Sequence, residues 1–131
     1  MVCVVVLTSC SATRADEPSQ TISLDAAERE RCIAILREGF QADDFWPSMH
    51  AAEGLTVAGL GKEVREALTS RVPSEKDDQH RCGLARELVR AGDLSQVKVL
   101  AAVLASPDSY GHTHASESLF KVKQLGDKGL L

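Results

Sequence analysis

Aromatic residues are scarce in this chain of 131 residues, in which they make up 4% of the composition. Because 44% of the residues are nonetheless hydrophobic, Leu, Ala and Val must fill most of any core, and we expect closely packed aliphatic layers. A basic stripe is also missing, and the formal charge at pH 7 is −4. An acidic chain of this kind is not typical of a general nucleic-acid or anionic-membrane binder.

Cysteines are few, and none of the four belongs to a CxxC motif. Cys32 and Cys82 each follow an arginine inside a helical pattern. A free cysteine in a core behaves as a small apolar side chain. We therefore expect both residues to pack in the core and to form neither a disulfide nor a metal site.

Motifs that indicate a catalytic centre are missing as well. The sequence contains no glycine-rich phosphate-binding loop, no zincin motif and no nucleophile elbow. Ser106, Ser109 and Ser116 lie near two histidines in sequence. Nucleophilic catalysis also requires an aligned base and an oxyanion site, which sequence spacing does not establish. The sequence therefore favours a non-catalytic role without a cofactor.

One pattern occurs three times along the chain: a glycine lies five residues before an aliphatic residue. The three stretches are Ala51–Val64, Leu84–Val97 and Ser118–Leu131. Their glycines are Gly59, Gly92 and Gly126, so the steps between them are 92 − 59 = 33 and 126 − 92 = 34. Periods of this length are typical of helical repeat arrays. We therefore predict a helical unit that recurs.

Apolar residues around each glycine predict two helices per unit. Positions seven, four and one before the glycine are apolar and form one face of a first helix. These positions are Ala52, Leu55 and Ala58, then Ala85, Leu88 and Ala91, then Leu119, Val122 and Leu125. The glycine is expected to end this helix in the left-handed conformation. Pro73 and Pro107, which are separated by nearly the same step (107 − 73 = 34), are expected to stop the second helices.

The second helices show apolar faces of their own. They begin with Val64, Ala67 and Leu68 in the first unit and with Val97, Leu100, Ala101 and Leu104 in the second. Together these patterns predict helices over about residues 24–38, 47–58, 61–71, 77–91, 94–105 and 112–125. The first of them is out of phase with the repeats. It is read as an N-terminal cap or as the second helix of a degenerate unit.

The repeated stretches resemble the HEAT family of helical repeats, and within it the short bacterial type known as the PBS-lyase-like repeat. The resemblance rests on His50–Leu68, Gly83–Leu104 and His114–Asp127 and covers roughly residues 47–131. It implies an all-α fold, a right-handed α-solenoid of antiparallel helix hairpins, with about two and a half repeats after an N-terminal helix. Other paired-helix arrays share this pattern. Such a fold implies a protein-interaction or scaffold module with a protein partner.

We expect recognition on the ridge formed by the starts of the first helices. The candidate partner-binding residues of this ridge are Trp46, His50, Glu53, His80, Arg81, His112, His114 and Glu117. Binding there would depend on shape and on polar complementarity.

The alternative is a metal-binding protein or a metal-dependent enzyme with a divalent metal site on the same ridge. His50 with Glu53, and His114 with Glu117, are spaced to face one side of a helix, so each pair offers an imidazole and a carboxylate; His80 completes the set. Counted to the next repeat glycine, His80 and His114 share one phase (92 − 80 = 12 and 126 − 114 = 12), whereas His50 has another (59 − 50 = 9). This phase predicts that His80 and His114 are neighbours and that no single ring of ligands forms. Capping or pairing at helix starts also accounts for these residues.

The first residues of the chain resemble the end of an export signal. Met1–Leu7 is apolar, and the residues after it are small and polar. The stretch Leu7–Cys10 resembles a bacterial lipobox, which would place a lipid anchor at Cys10, while Thr13–Ala15 suits an ordinary signal peptidase. No Lys or Arg precedes the apolar run, so a cytoplasmic chain with an apolar tip is the alternative. We predict a leader over residues 1–20, export, and a repeat domain over residues 21–131.

The repeat pattern stops at Leu130 and Leu131, where the second helix of the third unit would begin. An array normally finishes with a polar-faced cap. We therefore expect either a longer array or a second copy of the chain to cover the last helix, which makes a homo-oligomer an open alternative.

Overall fold

The computed structural model describes residues 24–123, and this part of the protein is all helical, as predicted, without a β-strand. Its α-helices are α1 (Ala26–Phe40), α2 (Phe45–Leu55), α3 (Gly61–Leu68), α4 (Asp78–Arg90), α5 (Val97–Leu104) and α6 (His112–Lys121), with 3-10 turns at Leu94–Gln96 and Ser109–Gly111. None of these helices combines the length and the apolar character that crossing a membrane requires. The hairpin solenoid, its handedness and its number of repeats stay predictions.

Several predictions concern residues outside the described part. They are the leader over residues 1–20, the anchor at Cys10, the processing site at Thr13–Ala15, the left-handed conformation at Gly126 and the uncapped end at Leu130 and Leu131.

Aspartate side chains set the starts of two helices. Asp25 accepts a hydrogen bond from the N–H of Glu28 (2.8 Å), whose carboxylate accepts one from the N–H of Asp25 (3.1 Å). Helix α1 therefore begins with a capping box. At the start of α4, Asp77 accepts a hydrogen bond from the N–H of His80 (3.0 Å).

The first two repeat glycines adopt the left-handed conformation, as predicted. Gly59 has φ +90° within the π-type turn Thr56–Leu60, which joins α2 to α3. Gly92 has φ +99° just after α4. Residues with a side chain rarely adopt this conformation, so a glycine at each position lets the chain reverse between helices.

The third unit departs from the predicted phase. Helix α6 ends at Lys121 and not near residue 125, and Lys123 is left-handed, with φ +57°. The N–H of Lys123 donates to the carbonyl of Phe120 (3.0 Å). This hydrogen bond spans three residues and not four, so it closes a tighter turn than an α-helical hydrogen bond does. The turn therefore comes three residues before Gly126 (126 − 123).

Helix α4 is the centre of the described fold. It packs against α2, α3, α5 and α6. Leu84 and Leu88 join an aliphatic cluster with residues of α2 and α3, and Cys82 and Ala85 join a second cluster with α5 and α6. The first-helix positions predicted from the repeats are fully buried at Ala52, Leu55, Ala85 and Leu88. The aliphatic core expected from the composition is thus built on both sides of one helix.

Three predicted core residues are exposed. Ala67 and Ala101 face solvent, while Val103 is buried. The short helices α3 and α5 contact their neighbours along one narrow face, and these two alanines lie outside that face. Cys32 is also exposed, so the prediction of a core position was wrong there and is confirmed for Cys82. Cys32 lies on α1, of which only Ile33 is buried.

Candidate functional site

An aromatic cluster, made of Phe45, Trp46, His80 and His114, joins the starts of α2, α4 and α6. The ring of His80 stacks on Phe45, with 3.8 Å between centroids and 16° between planes. The ring of His114 stacks on Trp46 at 5.2 Å and 18°. Trp46 also meets Phe45 and His80 edge-on, at 4.9 and 5.8 Å. The structure therefore brings three of the eight ridge residues together across three helices.

A glycine on α4 makes room for the rings of α2. A Cβ atom at Gly83 would lie 2.9 Å from Cε1 of Phe45 and 3.3 Å from Cζ3 of Trp46. The absence of that atom lets the two helices approach at the level of the cluster. Phe45 is missing from the predicted ridge because the second helix is predicted to begin at about residue 47, whereas α2 begins at Phe45. An aromatic residue next to Trp46 at a predicted helix start was the available signal.

Two ionised carboxylates lie beside the cluster. Nδ1 of His80 is 3.6 Å from Oε2 of Glu75, so protonation of this ring would create an ion pair. The N–H groups of Asp77 (3.0 Å) and Lys76 (2.7 Å) donate to Glu75 and hold its pKa below the ordinary 4.5. The N–H of His80 and the hydroxyl of Tyr110 (3.1 Å) hold the pKa of Asp77 below the ordinary 3.8. Both groups are therefore negative at neutral pH.

A charged network lies along the second half of α4 and reaches α2. Arg86 and Arg90 both donate to Oε1 of Glu87, at 2.7 and 2.9 Å. Arg90 also pairs with Glu53 of α2 at 3.0 Å, and Glu53 lies 3.7 Å from Nδ1 of His50. Arg86 is 5% exposed and Glu87 is 0% exposed. Two guanidinium groups thus compensate the carboxylate that the fold removes from water.

Glu117 extends the negative charge onto α6. Nζ of Lys121 lies 2.7 Å from Oε1 of Glu117. This hydrogen bond holds the pKa of Glu117 below the ordinary 4.5, and the charges of Arg86 and His114 act in the same direction.

Two predicted ridge residues point to other partners. Nη1 of Arg81 donates to Oδ1 of Asp78 at 2.6 Å, and Arg81 lines a separate cavity beside α5. Nε2 of His112 lies 2.9 Å from the carbonyl oxygen of Ser106, where it ties the start of α6 to the preceding loop. The structure therefore does not bring these two residues into the aromatic cluster.

The histidine phases change when they are counted from the left-handed residues of the structure. His50 and His114 then share one phase (59 − 50 = 9 and 123 − 114 = 9), while His80 has another (92 − 80 = 12). Equivalent phase does not give equivalent partners, because His50 faces Glu53 and His114 stacks on Trp46. Among residues 24–123, no group of three or more His, Cys, Asp and Glu side chains is arranged to hold a metal ion.

The buried charges of α4 were missed by sequence reasoning. Arg86 and Glu87 fall between the predicted core positions Ala85 and Leu88. A charged pair in that place reads as the solvated side of an amphipathic helix. A helix that packs against four others has little solvated side, and only the tertiary arrangement reveals this.

No protein-family model matches the chain, and no curated protein or solved structure was found to be similar to it. The resemblance to HEAT repeats therefore rests on the sequence pattern, and the role of this surface must be inferred from its own residues.

Proposed function

We propose that this protein is a non-catalytic interaction or scaffold module of HEAT-like helical hairpins, and that a protein partner binds its ridge. One observation supports this most directly: Trp46, His80 and His114 meet although they come from the starts of three different helices. A surface assembled from several helices offers more area and more specific shape than one helix alone.

The aromatic cluster supplies the centre of such a contact. Tryptophan is among the residues that most often dominate binding energy, particularly where a partner excludes water from it. Trp46 is half-buried and held by His80 and His114. Because its rotamer is already restricted, binding would immobilise little additional side-chain freedom.

Polar and charged side chains supply the rim. The side chains of His50 and Glu117 are 69% and 48% exposed. Rim charges of this kind affect association rate and partner choice, and salt weakens their effect. The partner is therefore expected to present polar groups around an apolar or aromatic centre.

Affinity capture with a Glu117→Lys variant tests the ridge. The substitution reverses a rim charge and replaces the ion pair with Lys121 by repulsion. We expect the partner captured by the unmodified chain to be lost. Calorimetry with the purified partner should then show a dissociation constant raised about tenfold or more.

Glu66→Lys is the matched control. Glu66 also pairs with a lysine four positions away on an exposed helix face, at 3.7 Å from Lys62, but it lies on α3, outside the ridge. Binding by this variant should be unchanged. A purified partner that binds both variants equally, whether tightly or weakly, would overturn the assignment to the ridge.

Metal analysis separates this proposal from the metal-binding alternative. The protein is purified without a histidine tag and equilibrated with iron, zinc and manganese in turn. If the protein binds a stoichiometric metal ion and the His114→Ala variant loses it, the metal-binding alternative replaces the proposed interaction module. The described residues favour the interaction module, because the carboxylate of Glu53 is already paired with Arg90.

A further inference from the structure

A cavity of about 570 Å³ lies between the loop after α3, the first turn of α4 and the start of α5. Its volume falls within the range of about 300 to 1,000 Å³ that small-molecule sites occupy. It is separate from the aromatic cluster, and its lining includes Arg81, which the sequence had placed on the ridge.

Positive charge exceeds negative charge among the lining residues. Lys76, Arg81 and Lys98 contribute three cations, and Glu75 contributes one carboxylate. Such an excess is notable in a chain with a formal charge of −4. Arg81 is paired with Asp78 at 2.6 Å, so the positive charge that is left to attract an anion is mainly that of Lys76 and Lys98.

The carboxylates of Glu75 and Asp78 beside the cavity already accept hydrogen bonds from groups of this chain. Oε1 of Glu75 accepts hydrogen bonds from the N–H groups of Lys76 (2.7 Å) and Asp77 (3.0 Å). Asp78 accepts from Nη1 of Arg81 (2.6 Å), and a guanidinium group has five N–H donors in all. Arg81 therefore keeps donors for a ligand.

The two lysines are available to a ligand. The lysine ion pairs within residues 24–123 involve Lys62 and Lys121, and neither Lys76 nor Lys98 takes part in one. Both of these side chains are exposed. Their ammonium groups therefore lack a fixed carboxylate partner in the described part of the chain.

Apolar side chains complete the cavity. Val72 is 8% exposed and belongs to the first core cluster, and Val99 is a half-buried residue of α5 that packs against both clusters. These residues offer a surface from which water is readily displaced. The cavity thus combines an apolar wall with cationic groups.

We propose that this cavity binds a small amphipathic organic anion. Its carboxylate is held by Arg81 and Lys98, and its apolar part rests on Val72 and Val99. A guanidinium group matches the two oxygens of a carboxylate, and the lysine adds a mobile charge. Inorganic anions lack the apolar part and bind more weakly.

The test is a titration of isotopically labelled full chain, followed by the backbone amide signals in NMR spectra. The probes are 4-phenylbutyrate, octanoate and indole-3-acetate, with 4-phenylbutyramide and inorganic phosphate as comparisons. At least one carboxylate should give saturable shifts centred on Val72, Arg81 and Val99, with a dissociation constant of about 1 mM or below. The amide and phosphate should bind about tenfold more weakly.

Three variants decide which groups hold the anion. Arg81→Gln and Lys98→Gln should each weaken binding about threefold to tenfold, and the exposed position of Lys98 makes its variant the safer one for folding. Lys62→Gln, which removes an exposed cation on α3 outside the cavity, should have no effect. The proposal is overturned if none of the three carboxylates saturates, if the amide binds as tightly, or if Lys98→Gln matches Lys62→Gln.

Discussion

Helices α1 and α4 have similar residues but opposite environments. Both contain three arginines and at least one glutamate, and in both a cysteine directly follows an arginine. Within α1 only Ile33 is buried, whereas every residue of α4 from Cys82 to Val89 is buried. Helix α1 packs mainly against α2, while α4 is surrounded by α2, α3, α5 and α6. The number of helices packed around a residue therefore determines how far its side chain is removed from water. Matched substitutions in the exposed and the buried surroundings measure how this burial affects stability and reactivity.

The largest difference is expected between two ion-paired glutamates. Glu87→Ala would leave the buried Arg86 without its carboxylate, and we expect the free energy of unfolding to fall by about 3–5 kcal/mol. Glu63 pairs with Arg37 of α1 at 2.8 Å on the surface, where water and salt screen the charges, so Glu63→Ala should cost only a small fraction of that. Urea denaturation measures both. Equal losses in the free energy of unfolding would show that burial does not determine how much these ion pairs contribute to stability.

The cysteines offer a chemical comparison. Burial raises the pKa of Cys82 to about 11, from an ordinary 9.0, which lowers its thiolate fraction at pH 8 about a hundredfold. Cys32 is exposed. We expect a water-soluble thiol reagent to modify Cys32 at least about a hundred times faster than Cys82, as measured by mass spectrometry of the modified peptides. Comparable rates in the folded protein would contradict the burial of Cys82.

Two glycines test helix contacts on the two sides of α2. Gly83→Ala would place a Cβ atom 2.9 Å from Phe45 in the aromatic cluster. We therefore expect the free energy of unfolding to fall by about 1–3 kcal/mol. Gly54→Ala would meet Cδ2 of Leu36 at 2.8 Å, but that flexible side-chain end can rotate away, and alanine favours the helix. The free energy of unfolding of Gly54→Ala, measured by urea denaturation, should therefore be nearly unchanged.

Tryptophan fluorescence gives a second measurement for the glycine pair, because Trp46 is the single tryptophan of the chain. Its emission should change in Gly83→Ala and not in Gly54→Ala. An unchanged spectrum in Gly83→Ala would mean that the rings do not depend on the space at this glycine.

The smallest expected effect concerns the acid dependence of the α4 start. Hydrogen bonds from the N–H of His80 and from Tyr110 lower the pKa of Asp77 below 3.8, so its charge contributes stability above that pH, and the contribution is lost as the pH falls through the lower folded value. Asp77→Asn keeps a capping side chain but has no charge to lose. Its free energy of unfolding should therefore decline less than that of the unmodified chain below about pH 4. Parallel denaturation curves at pH 2.5 and pH 6 check this, and equal declines would contradict it.

The repeat pattern predicted much of the first-helix core. Ala52, Leu55, Ala85 and Leu88 are buried as expected, and Gly59 and Gly92 are left-handed. Apolar spacing and glycine conformation are local properties, so a single sequence reveals them. The end of α6 was predicted incorrectly, because the helix stops before Lys123, a left-handed lysine at a position where local preference does not favour that conformation.

The candidate site was predicted in part. Trp46, His80 and His114 meet at the starts of α2, α4 and α6, and the role of this ridge in binding stays a prediction. Arg81 and His112 turn toward Asp78 and Ser106, since short-range partners compete for their donors. Helix phase gives the height of a residue along its helix but does not identify the partner that its side chain meets.

By itself, the sequence determined the helical class, the aliphatic core and the two glycine turns, since each depends on residues close together in the chain. Only the tertiary structure decided which charges are buried, which histidines stack on aromatic rings and where a cationic cavity opens. Those outcomes depend on groups brought together from distant segments. The same Arg, Glu and Cys residues are solvated on α1 and enclosed on α4 because desolvation is a property of the packed neighbours and not of the residue.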